Sequence, residues 1–424
     1  MPCSTLAGIG VLIASSALAA AQPAPPTQRA SLLEIPEWVT SVRLVDDLRM
    51  RVDAIPAPSP AFVSRQRYRP RLRVGAIVTM ENDLEVGLRL ASASSVGKDI
   101  GGDPLSTNQT FEDNASRKPV GIDWAFVRWT PLHVASATGS LAIGKLENPP
   151  NFTEDAFDVD YTPEGTAEVL AVELAPDHAA AFYFGQFVLD ELAFSKNDPF
   201  LLVEQLHVHS TWTKAFETAI TGSFLSIGHA KSLTTANVPD ANHGNTRDAS
   251  GALTNDYRVF VGDASVTFTV DDFPGYRGAF PIALYAEYIH NFGAGAHNIA
   301  YSFGPSLGSV SQRNGNIGKQ QQGNWELSYR YQHLEGDANY EEIVGSDNGA
   351  FFRSSPPNEP PPAKFTPQLL NGLNLRGHIF RLAYAPLDSF VLDLRVWRNE
   401  AIDVARESER IVGTRVIFDM IWKF

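Results

Sequence analysis

The chain ends on Arg415-Val416-Ile417-Phe418-Asp419-Met420-Ile421-Trp422-Lys423-Phe424. Val416, Phe418, Met420, Trp422 and Phe424 alternate there with Arg415, Ile417, Asp419, Ile421 and Lys423. Successive side chains of an extended chain point to opposite faces, so a period of two with one wholly apolar face predicts a β-strand. The apolar face closes on two aromatics. A soluble sandwich would also alternate, but it has no reason to stop on an exposed aromatic terminus. A membrane barrel does, because aromatic girdles sit where its strands meet the bilayer interface.

The same period recurs upstream. Leu48, Met50 and Val52 alternate with Arg49, Arg51 and Asp53; Leu84, Val86, Leu88 and Leu90 alternate with Glu85, Gly87, Arg89 and Ala91. Trp325, Leu327, Tyr329 and Tyr331 alternate with Glu326, Ser328, Arg330 and Gln332, and Leu392, Leu394 and Val396 with Asp393, Arg395 and Trp397. Less regular segments lie near 120–130, 139–146, 167–175, 180–190, 199–211, 214–227, 255–270, 280–291, 338–345 and 376–386, with 298–310 a further candidate. In 67–75, Arg67, Arg69, Arg71 and Arg73 share one face. Facing lipid, each would cost about 2–4 kcal/mol at the bilayer midplane, so that face must meet water.

The connections alternate in length. Short ones are expected at 81–82, 131–138, 176–179, 212–213, 271–279, 336–337 and 386–387. Long ones are expected at 56–66, 95–119, 147–166, 191–198, 228–254, 292–322, 346–375 and 400–409. Tight turns at one end and long polar loops at the other describe a single antiparallel up-and-down transmembrane barrel of about sixteen strands, long loops outside the cell and short turns in the periplasm. Closure pairs every backbone group, as lipid requires.

Composition agrees. The 424 residues carry a formal charge of −14, which argues against nucleic acid. No run beyond the first residues is long and apolar enough for a membrane helix. Residues 1–21 read as a signal peptide, with an apolar run Leu6–Ala14 and Ala19-Ala20-Ala21 before Gln22, although no Lys or Arg precedes the run. Residues 22–41 are then a periplasmic segment and 42–424 the barrel. The single cysteine, Cys3, falls in the leader, so the mature chain has neither disulfide nor thiol chemistry. Pro23–Pro26 and Pro356–Pro362 read as irregular, exposed chain.

With the strands in place, the sequence resembles the porins of Gram-negative outer membranes. The resemblance rests on DDLRMRVDAI (46–55), RQRYRPRLRVGAIVTMENDLEVGLRLAS (65–92), STNQTFEDNASRKPVGIDWAFVRW (106–129), GKLENPP (144–150), DVDYTPEG (158–165), NWELSYRYQHLEGDANYEEIVGSDNGAF (324–351) and the closing strand. It implies passive diffusion of small hydrophilic solutes or ions through a water-filled barrel, outer-membrane lipid as surroundings and no cofactor. By analogy it also implies a possible homotrimer. The terminal strand Phe418, Met420, Trp422 and Phe424 resembles the signal read by the barrel-assembly machinery. The resemblance supplies no catalytic residues.

The expected pore-lining residues are Arg49, Arg51, Arg69, Arg71, Arg73, Glu85, Arg89, Glu326, Arg330, Asp393 and Arg395. The third long loop carries Glu154, Asp155, Asp158 and Asp160. It either folds inward against the arginines as a constriction or stays outside. Ca²⁺ on its carboxylates is the weaker alternative, because the spacing is not that of an EF-hand. His207 and His209 share a strand face but lack a third ligand, so they read as lumen side chains with no metal. Gly304-Pro305-Ser306-Leu307-Gly308 matches a nucleophile elbow without the strand-to-helix flanks such an elbow needs, and reads as a glycine-rich loop. A substrate-specific channel, a barrel hydrolase and a secreted β-rich adhesin are the rival readings.

Overall fold

The computed structural model describes residues 35–58, 64–93, 103–239, 244–310, 322–348, 350–352, 368–370, 372–403 and 410–423. The leader, both proline-rich stretches and Phe424 lie outside the described residues. Residues up to Glu37 form a unit of their own; Trp38–Phe424 form the other.

That second unit is a closed antiparallel barrel of sixteen strands. β1 comes in two pieces, Val39–Leu44 and Asp47–Ile55, followed by β2 Arg65–Met80, β3 Leu84–Ser92, β4 Val120–Val134 and β5 Ala137–Lys145. Then come β6 Glu164–Ala175, β7 His178–Val188, β8 Phe200–Thr213, β9 Phe216–Gly228, β10 Tyr257–Val270 and β11 Phe280–Asn291. β12 Ile299–Gly308, β13 Trp325–Leu334, β14 Leu375–Leu387, β15 Phe390–Ala401 and β16 Gly413–Lys423 complete the wall. Each strand pairs with its chain neighbours. The seam closes where β1 meets β16, from Asp47↔Lys423 to Ala54↔Val416. Both pieces of β1 lie on β2. The break between them falls where the Asp46 carboxylate accepts the Gly75 N–H at 2.6 Å. A small sheet of Ala350–Phe352, Gln368–Leu370 and Arg410–Ile411 stands apart from the wall.

Burial alternates along the strands as the period of two dictates. On the outside stand Leu72, Leu88, Ile143, Leu170, Leu206, Ile220, Leu284, Phe303, Leu327, Phe380 and Leu382, all exposed. So continuous an apolar exterior is stable only in hydrocarbon. Near the short-turn end it is edged by aromatics, among them Trp212, Phe268, Trp325 and Tyr384, and by Phe390 stacked on Trp422 at 4.5 Å. In β16, Phe418, Met420 and Trp422 face outward while Arg415, Ile417, Asp419 and Ile421 are buried inside.

Two expected segments change roles. The stretch 298–310 contains a full strand, β12, whereas 338–345 is not a strand but an irregular stretch with one 3₁₀ turn, Glu341–Ile343. Gly304, Pro305 and Gly308 give β12 the look of a loop. Pro305 has no N–H to donate, and the ladder to β13 skips Gly304 and Pro305. In 338–345, Ala338, Tyr340, Ile343 and Val344 do not alternate but pack together, all buried. The count of sixteen survives, while the loop pattern shifts. The connection 292–298 lies at the long-loop end, residues 309–310 and 322–324 lie at the short-turn end, and in the chain β13 ends at Leu334 and β14 begins at Leu375.

Candidate functional site: the barrel lumen

Strand periodicity places Asp47, Arg49, Arg51 and Asp53 of β1 on the inside, with Arg67, Arg69, Arg71 and Arg73 of β2 directly across the ladder. Side by side, these arginines would repel. Carboxylates interleave them. Arg51 makes a two-pronged bond to Asp419 of β16, Nε to Oδ1 and Nη2 to Oδ2, each 2.8 Å. Arg415 grips Asp53 in the same manner, at 3.0 and 2.9 Å, and Asp53 also takes Arg67. Arg71 donates to Asp47 at 3.0 Å, and Arg89 donates to Asp123 at 2.5 Å while lying 3.3 Å over the Trp124 ring. On the far side of the seam, Arg381 bridges Asp393 (2.8 Å) and Glu326 (2.7 Å), and Arg395 also donates to Asp393 at 3.2 Å. Glu85 lies apart, tied with Glu147 to Arg128.

Three connections bring polar groups to these charges from the long-loop end. The loop after β5, 146–163, reaches across the lumen. Asp160 accepts from Arg73 at 2.5 Å and Arg71 at 3.2 Å, with Arg49 at 3.9 Å. Glu154 accepts from Arg395 at 3.2 Å, Asp155 stands 3.5 Å from Arg330, and the Thr153 hydroxyl donates to Glu287 at 2.7 Å. The connection after β13 supports it: Asp158 N–H donates to Ile343 O at 2.6 Å, and Gly345 N–H to Glu154 O at 2.7 Å. The same connection drops Asp347 into the seam, where both its oxygens accept from Arg51 at 2.7 and 2.8 Å. The third is the segment before β4, whose Asn108 accepts from Arg49 at 2.6 Å.

Beside these charges the long-loop end is filled by an apolar core. Phe152, Phe157, Leu233, Leu253, Tyr340 and Ile343 pack against the inner wall of β8–β14, and Phe157 meets the rings of Phe152 at 5.5 Å and Tyr161 at 5.3 Å. Two of the openings that remain, with volumes that include open solvent, flank the inward loop. One, of about 1520 Å³, is lined by Ser265, Thr267, Tyr285, Ser306, Ser328 and Trp397. The other, of about 1220 Å³, is lined by Arg89, Trp124, Arg128, Asn148 and Tyr183. Val159 borders both, so the inward loop forms a wall common to the two.

The loop carboxylates differ in charge state. Burial opposes ionisation of Asp160, but Arg73, then Arg71 and Arg49, hold it well below the usual carboxylate range. Asp347 is held low against burial by Arg51, Arg415 and Arg49. Asp158 faces no such cation. Burial first, then Asp160, pushes it well above the usual range, and its oxygens accept the Asp160 and Ser346 N–H groups at 2.7 and 3.3 Å.

Every expected pore-lining residue except Glu85 falls in this network. The sequence reading omitted Asp47, Asp53, Asp123, Arg381, Arg415, Asp419 and Asp347. The β1 and β16 members were visible in the alternation, since they share faces with residues singled out there. Asp347 had no such signal. Ser306 lies within β12, with strand continuing on both sides, so no nucleophile elbow forms. His207 bonds the Thr221 hydroxyl at 3.0 Å and His209 lies 3.7 Å from Glu217. No cluster of metal-ligating side chains occurs among the described residues.

A closed sixteen-strand barrel, apolar outside, charged inside and crossed by an inward loop, has the architecture of a porin-type barrel. Residues 59–237 match the family described as “Putative porin”. Among solved structures, OprB of Pseudomonas putida at high pH superposes with a TM-score of 0.53 at 9% identity, covering 90% of this chain and 94% of that one, which shows the fold. A double mutant of the Rh. blastica porin aligns with a TM-score of 0.43 at 7% identity, over 91% of this chain and 100% of that one. No curated protein sequence matches the chain. The chain thus has the porin fold, and part of it matches a porin family.

Proposed function

We propose that small hydrophilic solutes and ions diffuse passively past loop 146–163, and that the constriction lies between its carboxylates and the arginines of β1, β2, β13 and β15. The observation that carries this reading is Asp160 bonded to both Arg71 and Arg73 across the lumen. Opposed charges set a transverse field and compensate one another, which seats the loop without demanding large net ion-pair stability. The residues around this point nearly balance: Arg49, Arg71, Arg73, Arg330, Arg395 and Lys423 stand against Asp47, Glu154, Asp155, Asp160 and Asp347, while burial pushes Asp158 toward its neutral form. Selection is then by size and local field more than by net charge.

A substrate-specific channel is the second reading. It is favoured by the apolar core that fills part of the long-loop end, which leaves a narrower path than an open barrel would. In both readings residues 1–21 are removed on export and β16 guides insertion by the assembly machinery. The long loops face outward, copies associate as a homotrimer, and no catalysis, cofactor or bound Ca²⁺ is involved. Planar-bilayer recording tests the proposal: stepwise ohmic conductance with a measurable reversal potential is expected. A purified, folded barrel that gives no conductance steps overturns it.

A further inference from the structure

The opening between loop 146–163 and the inner wall of β3–β7 carries N–H donors that nothing in the chain satisfies. Its lining includes Arg89, Trp124, Ala142, Ala167, Val169 and Tyr183. Arg89 and Trp124 are partners across the β3–β4 ladder, and the guanidinium carbon lies 3.3 Å from the centre of the indole ring. Only the Nε of Arg89 is bonded, to Asp123; its two terminal nitrogens have no hydrogen-bond partner among the described residues. Trp124 is 7% exposed, and its Nε1 is shielded from solvent without a partner. An indole N–H can only donate, and a buried donor left without an acceptor is unfavourable. Two kinds of N–H therefore stand together with no acceptor.

The shape of the donors selects the ligand. A guanidinium fork with both ends open matches the two oxygens of a carboxylate, and stacking on the indole holds the fork in one plane before anything binds. The rest of the lining differs in character. Ala142 of β5 and Ala167 and Val169 of β6 are apolar, which suits a hydrocarbon body and not a second charge. Arg128 and Glu147 also border the opening, but they pair with each other at 2.5 Å. Trp124 and Arg128 are four residues apart on β4, about 13 Å at the rise of a strand, so that pair lies beyond the reach of a carboxylate held on Arg89. We propose that this opening is a binding station for organic monocarboxylates, with the carboxylate on Arg89 and Trp124 and an apolar body against Ala142, Ala167 and Val169. The assignment rests on the channel reading and gives it a class of solute.

The test is single-channel recording of the full chain in dilute potassium chloride with added sodium benzoate, sodium acetate or benzamide. Benzoate should reduce the current saturably. Acetate, which lacks the ring, should need a several-fold higher concentration, and benzamide, which lacks the charge, should have no effect. Arg89→Lys keeps the charge but loses the fork, and should raise the half-saturating benzoate concentration about tenfold or more. Trp124→Phe keeps a ring but loses the N–H, and should raise it about threefold or more. The proposal is overturned if the benzoate effect never saturates, or if acetate or benzamide acts as strongly. It is overturned equally if Arg71→Gln with Arg73→Gln abolishes the effect while Arg89→Lys leaves it intact, since the acid would then sit at the Asp160 constriction. Should Arg89→Lys fail to fold, Ala167→Leu, which fills the apolar end and touches no ion pair, decides: benzoate should weaken more than acetate, and an equal change in both rejects the station. Channels that conduct chloride without a saturable benzoate effect reject only this site, whereas folded barrels without channels reject the porin reading.

Discussion

Arg51 and Asp419 lock the first strand to the last: two parallel 2.8 Å bonds span the seam between β1 and β16, with both side chains 1% exposed. The two residues are register partners. The ladder that closes the barrel therefore carries its own inward clamp, and Asp347 caps it by binding the remaining Arg51 nitrogen. Removing one partner of a buried pair leaves the other charge uncompensated, at about 3–5 kcal/mol where burial is complete. Asp419→Ala should fall toward the lower end, because Asp347 still holds Arg51. The expected outcome is a lower urea midpoint for the purified barrel, read by its heat-modifiable gel mobility. Exchanging the pair, Arg51→Asp with Asp419→Arg, should recover part of the loss but not all, since Asp347 would then oppose a carboxylate at position 51. An unchanged midpoint in Asp419→Ala would show that the clamp adds nothing to closure.

Asp160 and the arginines it binds should set ion preference. Arg71→Gln with Arg73→Gln removes two positive charges from the lumen and frees one carboxylate. At roughly 8 Å in water-like dielectric a unit charge is worth about 0.5 kcal/mol, roughly twofold in an ion's population. The double variant should therefore shift reversal potential toward cations by several-fold in permeability ratio, and Asp160→Asn should shift it toward anions. Both shifts should be largest in dilute salt, where screening is weakest. Wild-type selectivity in both variants would place the constriction elsewhere.

The wall was legible in the sequence because lipid outside and water inside impose a strict alternation. Arg49, Arg51, Arg71 and Arg73 could be assigned to the lumen before any coordinate was known. β12 was obscured by Gly304 and Pro305, which mark loops in most contexts, and 338–345 passed for a strand because its apolar residues are dense. The inward loops depend on tertiary partners. Asp158 and Asp160 look equivalent in the chain, yet one meets three arginines and the other meets backbone N–H groups. The seating of Asp347 on Arg51 joins residues 296 positions apart, and no local pattern encodes it.

That difference between the two aspartates gives a pH prediction. Asp160 and Asp347 have folded-state values below the ordinary carboxylate range, so the stability they contribute is complete above that range and is lost only as pH falls through their lowered values. Asp158 has a raised folded-state value, so its contribution is present in acid and is lost as pH rises through that value. Loop 146–163 should thus be seated most firmly in mildly acid solution and loosen toward alkaline pH. Open-channel noise should grow with pH in the wild type, and Asp158→Asn should flatten that rise. Equal noise growth in the variant would assign the loosening to another group.

Orientation can be read from exposed positions on two long loops. Glu112 and Ser250 are both exposed. Ser106, in the same connection as Glu112, is 7% exposed and a poor choice. In a Cys3→Ser chain, Glu112→Cys and Ser250→Cys should react with an impermeant maleimide on intact cells. Labelling that appears only after the outer membrane is permeabilised would invert the topology.

Phe157 tests whether the inward loop is seated by apolar packing as well as by charge. Its ring is fully buried between Phe152 and Tyr161, in the core shared with the connection after β13. Phe157→Ala removes most of that contact and leaves a void, a change that costs about 3–5 kcal/mol in a packed interior. The barrel ladder does not pass through residue 157, so the loss should fall on the loop and not on the wall. Heat-modifiable folding should persist, single-channel conductance should rise, and a protease added from the long-loop side should nick the loop faster. If conductance and nicking stay at wild-type values, the ion pairs at Asp160 and Glu154 suffice to hold the loop, and the apolar core serves only the mouth. If folding itself is lost, Phe157→Leu, which keeps most of the apolar volume, should restore the barrel while leaving conductance above wild type.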